Sequence, residues 1–142
     1  MQASEVGLTE MTKLTDCSST ILLVDDDPDV RQILSLALDT EGFATLQAEN
    51  GYQALQILRT VSHFPSVVVL DLSMPILDGR GFLHRRAQDP ILVQIPVIVV
   101  SGSSRPREAL PGIEVFLQKP VKVSLLVEAI NQLINMRDTL TS

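Results

Sequence analysis

The chain is 142 residues long, one domain's worth, with 45% apolar and 20% charged residues, the balance of a soluble globular protein. Its net charge of −6 argues against nucleic-acid binding, which needs a basic face, and no apolar run approaches the ~20 residues of a membrane span. Cys17 has no second cysteine to pair with and the N-terminus does not read as a signal peptide, so a reducing, cytoplasmic location is expected.

Residues 1–19 are polar and rich in Ser and Thr, and are expected to form a mobile tail ahead of a domain over 20–135, with 136–142 as a C-terminal tail. The first strand is expected over Ile21–Asp25. A helix follows with Asp27 as N-cap, Pro28 at its first position and Gly42 as its stop. Its Val30, Ile33, Leu34, Ala37 and Leu38 have the spacing of one buried face. Phe43–Ala48 is the second strand, and Asn50-Gly51 opens a helix with Ala54, Leu55, Leu58 and Val61 on one side.

Val67–Asp71 is the third strand, an apolar run ending in a carboxylate. Pro75 and Gly79 then break the chain before a helix over Gly79–Ala87 that buries Phe82 and Leu83, with Arg85-Arg86 as a solvated face. Pro96–Ser101 is the fourth strand and Val115–Gln118 a short fifth. The last helix is expected over Val123–Ile134, with Leu126, Val127, Ile130, Leu133 and Ile134 facing inward. Strands alternating with amphipathic helices imply an α/β fold, a doubly wound, five-stranded parallel sheet covered on both faces. Pro106, Pro111 and two glycines within Gly102–Gly112 make a full helix unfavourable between the fourth and fifth strands.

In such a sheet the carboxyl ends of strands one, three, four and five bring Asp25-Asp26, Asp71, Ser101 and Lys119 to one rim, where open α/β folds bind ligands. A cluster of carboxylates repels itself unless a cation sits within it, and Mg²⁺ takes oxygen ligands of this kind. A hydroxyl and an ammonium beside it suit the oxygens of a phosphoryl group, and Asp is a known phosphoryl-accepting nucleophile. Asp27 has a simpler role as a helix cap.

The motifs Ile21–Pro28 (ILLVDDDP), Val69–Pro75 (VLDLSMP), Asp78-Gly79, Pro96–Ser101 and Phe116–Pro120 (FLQKP), in this order, resemble those of the response-regulator receiver domain of two-component signalling, over about residues 20–135. The resemblance implies the flavodoxin-like receiver fold, with Asp71 as phospho-acceptor and a Mg²⁺ cofactor. It implies that Asp26 is a direct metal ligand, that Asp25 acts mainly through water, and that Ser73 adds its backbone carbonyl. It further implies that Ser101 swings toward the phosphoryl group, that Lys119 pairs with it and that Phe116 changes rotamer as a switch. The Lys119–Pro120 bond is expected to be cis, as in relatives.

A sensor histidine kinase or histidine phosphotransfer protein would be the donor. A downstream protein target would receive the signal, with neither nucleic acid nor membrane as partner. The chain would be no enzyme beyond its own phosphorylation and dephosphorylation. Its length leaves no room for an output domain, so a stand-alone regulator is expected.

Ser101 and Lys119 are 18 residues apart, about one helical turn fewer than the family usually has. The fourth helix is therefore expected to be shortened or replaced by a loop, with Arg105 and Arg107 exposed. That departure keeps open a phosphorylation-independent adaptor as an alternative, beside a phosphate sink or relay intermediate. A phosphatase of the haloacid-dehalogenase type is discounted, because Ser73 stands where that family needs a second Asp.

Overall fold

The structure is a computed structural model that describes residues 19–102, 110 and 112–141. The elements run β1 (Thr20–Val24), α1 (Pro28–Thr40), β2 (Ala44–Ala48), α2 (Gly51–Thr60) and β3 (Val67–Asp71). Then come α3 (Gly79–Ala87), a 3₁₀ turn (Leu92–Gln94), β4 (Val97–Ser101), β5 (Val115–Gln118) and α4 (Val123–Thr141). All strand pairs are parallel, in the order β2-β1-β3-β4-β5. Chain order reverses between β1 and β3, which places a ligand crevice at their carboxyl ends.

The apolar strands are central because they must bury both faces. Alternate residues of β1, β3 and β4 feed two cores. Leu22, Val24, Val68, Leu70, Val97 and Val99 pack with Ala54, Leu55 and Leu58 of α2 and Phe82 and Leu83 of α3. Ile21, Leu23, Val67, Val69, Ile98 and Val100 pack with Leu38 of α1 and Leu126, Ala129, Ile130 and Leu133 of α4. Among the described residues no helix is long and apolar enough to cross a membrane.

The caps follow the sequence. Asp27 accepts hydrogen bonds from the N–H groups of Asp29 and Val30, Pro28 opens α1, and Gly42 leaves it at φ 94°. Three expectations need correction. The five-residue apolar face assigned to α1 is buried only at Leu38, and Ile33 is 61% exposed. Val30, Ile33 and Leu34 instead border a cleft that reaches the connection into α4. Arg86 does not lie on a solvated face: it is 1% exposed. Finally, α4 runs past Ile134 to Thr141, through most of the segment expected as a C-terminal tail, because no Gly or Pro interrupts it there.

No helix is present among the described residues of the β4–β5 connection, Gly102, Leu110 and 112–114. Arg105, Arg107 and nearly all of the expected N-terminal tail, residues 1–18, lie outside the described residues.

Candidate functional site

The β3–α3 turn is held tightly against the sheet. Gly79 N–H donates to Leu72 O at 3.0 Å, and a Cβ at Gly79 would come within 2.6 Å of Asp71 O. Gly51 N–H donates to Leu77 O at 2.7 Å, tying the start of α2 to the same turn. Glycine is required at residue 79 because helix and strand backbones meet there without room for a side chain. The result is a fixed platform under Asp71.

Asp25, Asp26 and Asp71 each place a carboxylate oxygen within 4.8 Å of the others. Asp25 and Asp71 are buried while Asp26 is exposed at the turn leaving β1. Asp25 Oδ1 accepts from Asp27 N–H at 2.9 Å, and Asp71 Oδ1 from Ser73 N–H at 3.4 Å. Lys119 Nζ lies 3.3 Å from Asp25 Oδ2 and 3.6 Å from Asp71 Oδ1. The register Ser101↔Gln118, with Lys119 N–H donating to Ser101 O at 2.7 Å, brings buried Ser101 and Lys119 to the same rim. Phe116 is half-buried against the α2/α3-side core. The Lys119–Pro120 bond is cis. All the expected rim residues therefore converge.

Burial pushes the Asp71 carboxyl above the usual range, the neighbouring Asp25 adds to this, and Lys119 only partly opposes it. For Lys119, burial works against the charge, but Asp25 and Asp71 outweigh it and leave the ammonium above the ordinary lysine value. The consequence for Asp71 has a definite sign. The folded chain binds this proton more tightly than the unfolded chain, so ionising Asp71 removes stability as pH rises through its raised value. Without a divalent cation, Asp71→Asn is expected to stabilise the fold by about 0.5–2 kcal/mol at neutral pH. The advantage should disappear below the ordinary carboxylate range. Thermal melts at pH 7 and pH 3 in EDTA would show it; a neutral or destabilising substitution at pH 7 would contradict the assignment.

Two residues near the site were not singled out by the sequence. Arg31 of α1 donates through Nη1 to Asp25 O and through Nε to Gln47 Oε1, bracing the turn that carries the acids. Its signal is its place one turn after the cap, on the α1 side nearest β1 and β2. Ile76, in the turn after Asp71, has φ 69° and is 83% exposed, a costly conformation for a β-branched residue. Nothing in the sequence marks that strain.

The sheet order and the acid-lined rim at the switch point define a flavodoxin-like α/β domain with an acidic site. The model of the response regulator receiver domain matches residues 21–131, and the chain belongs to that family. It is 31% identical over 112 residues to the phosphate regulon transcriptional regulatory protein PhoB of Pseudomonas aeruginosa, covering 76% of this chain and 48% of that one. It is 32% identical over 116 residues to an uncharacterised 14.6 kDa protein of Leptolyngbya boryana, covering 79% and 87%. Among solved structures, a response regulator receiver domain protein from Clostridium thermocellum superposes with TM-score 0.76 at 29% identity, covering 86% and 98%. The Francisella response regulator 1452 receiver domain gives 0.75 at 27%, covering 84% and 98%. The chain spans about half the length of several curated relatives it matches.

Proposed function

We propose that Asp71 accepts a phosphoryl group from a phosphohistidine donor, a sensor histidine kinase or histidine phosphotransfer protein, in a Mg²⁺-dependent reaction. The observation that carries this is the meeting of three carboxylates and Lys119 at one rim. The oxygen donors of Asp25, Asp26 and Asp71 suit a small hard cation, with the Ser73 carbonyl as a further ligand. When bound, Mg²⁺ would offset the negative charge between the nucleophile and the phosphoryl oxygens. Lys119, already held between Asp25 and Asp71, is placed to pair with one of those oxygens.

Phosphorylation adds about −1.5 to −2 charges and three acceptor oxygens. Ser101 and Lys119 are the groups that gain contacts, and Phe116 of β5, the register partner of Val99 on β4, follows as the switch. The signal is then read by a protein partner in a cytoplasmic setting, and the chain catalyses nothing beyond its own phosphorylation and dephosphorylation. A single-domain regulator is supported by the Leptolyngbya boryana relative, matched over 87% of its length. The spacing of only 18 residues between Ser101 and Lys119 keeps one second reading, an adaptor whose binding does not depend on phosphorylation.

Intact-mass spectrometry after incubation with phosphoramidate and Mg²⁺ tests the proposal. One phosphoryl group is expected on the wild type and none on Asp71→Asn. No addition to folded wild type would transfer the weight to the adaptor.

A further inference from the structure

An open cleft of about 540 Å³ adjoins the rim on the α1/α4 side of the sheet, within the range of small-ligand sites. Its walls are apolar: Val30, Ile33 and Leu34 from α1, and Val69 and Val100 from the sheet. Val121, on the connection into α4, and Val123, the first residue of α4, complete the apolar lining. Its polar lining is confined to Asp25, Arg31, Asp71 and Lys119, most of it the proposed phosphorylation site itself. The apolar face of α1 that its periodicity predicts as buried therefore opens largely onto this space, and Ile33 at its lip is 61% exposed.

A ligand matching this shape carries an apolar chain at one end and, at the other, an anionic group that meets Lys119. We propose that the cleft is a subsite for the acyl chain of an acyl phosphate, so that the domain takes phosphoryl groups from small donors with an apolar chain in preference to acetyl phosphate. This rests on Asp71 being the phospho-acceptor. In the transfer, a bond forms between an Asp71 carboxylate oxygen and phosphorus while the bond from phosphorus to the acyl oxygen breaks. The electron pair leaves with the carboxylate of the fatty acid, and no proton or further reactant is needed. Acetate, propionate and butyrate are leaving groups of nearly equal acidity, so a rate difference along this series reports the burial of methylenes rather than the chemistry.

The test compares phosphoramidate with acetyl, propionyl and butyryl phosphate on the wild type, at equal subsaturating concentration with Mg²⁺, by intact mass. The acyl series should accelerate about threefold to fourfold per methylene, on the order of tenfold from acetyl to butyryl. Ile33→Trp, which fills the lip of the cleft, should flatten the series while leaving the phosphoramidate rate unchanged. Val30→Phe provides a second filling variant should the first fail to fold. In methyl NMR spectra, butylphosphonate should shift the Ile33, Leu34 and Val100 signals of the wild type, and methylphosphonate should not. A flat or falling series with phosphoramidate still active overturns the acyl subsite alone. Loss of labelling from every donor overturns Asp71 as acceptor and the subsite with it.

Discussion

Replacing Asp26 by Asn is expected to slow phosphoryl incorporation at Asp71 by about 10²-fold or more at a fixed low-millimolar Mg²⁺ concentration, the scale of losing one positioned electrostatic group. Asp26 is the exposed member of the acid triad, and its side chain caps no helix. Its removal should therefore leave stability within about 0.5 kcal/mol of the wild type. Asp26 also raises the Asp71 carboxyl slightly, so Asn at residue 26 makes Asp71 easier to ionise. That change alone would favour reaction. A slower rate must then come from weaker cation binding. Titration calorimetry of Mg²⁺ and the Mg²⁺ dependence of the rate should move together, while Asp27→Asn, an equivalent helix cap, should change neither. Unaltered Mg²⁺ affinity in Asp26→Asn would remove Asp26 from the metal site.

The strands were legible because a parallel sheet buried on both faces leaves apolar runs, and the rim followed because β1, β3, β4 and β5 all run in one direction. Asp25, Asp71, Ser101 and Lys119 needed no further information to be brought together. Helix α1 was misread for a physical reason: periodicity tells which residues share a face, not whether another helix covers it. Val30, Ile33 and Leu34 do share a face, and it borders a cleft. Arg86 was misread through its chemical type. It follows Phe82 by four residues and Leu83 by three, which places it on their buried side, but an Arg-Arg pair suggests a solvated face.

Arg86→Ala is expected to destabilise the domain by about 3–5 kcal/mol, a large share of the ~5–15 kcal/mol typical of whole domains. Arg86 Nε donates to Ile95 O at 3.1 Å, and Nη2 donates to Ile95 O at 2.6 Å and to Val93 O at 3.0 Å. These carbonyls lie in and just after the 3₁₀ turn that leads into β4, so the guanidinium closes the base of the α3–β4 unit. Nη1 is buried with no hydrogen-bond partner among the described residues, and a Cβ on Gly112, at φ 69°, would approach it to 2.8 Å. Burial lowers the pKa of Arg86, and Glu114 opposes this. Glu114 in turn accepts from Val97 N–H at 2.8 Å and donates its own N–H to Val97 O at 3.1 Å, joining the starts of β4 and β5. Arg86→Met should cost less than Ala, because it fills the space, while both remove the charge and leave the carbonyls unpaired. The readout is the urea midpoint at constant m-value. A shift below about 1 kcal/mol for Arg86→Ala would mean that the base is held by apolar packing alone. Ser101 and Lys119 stand at the opposite ends of the strands that this clamp fixes, on the rim where Lys119 meets Asp71.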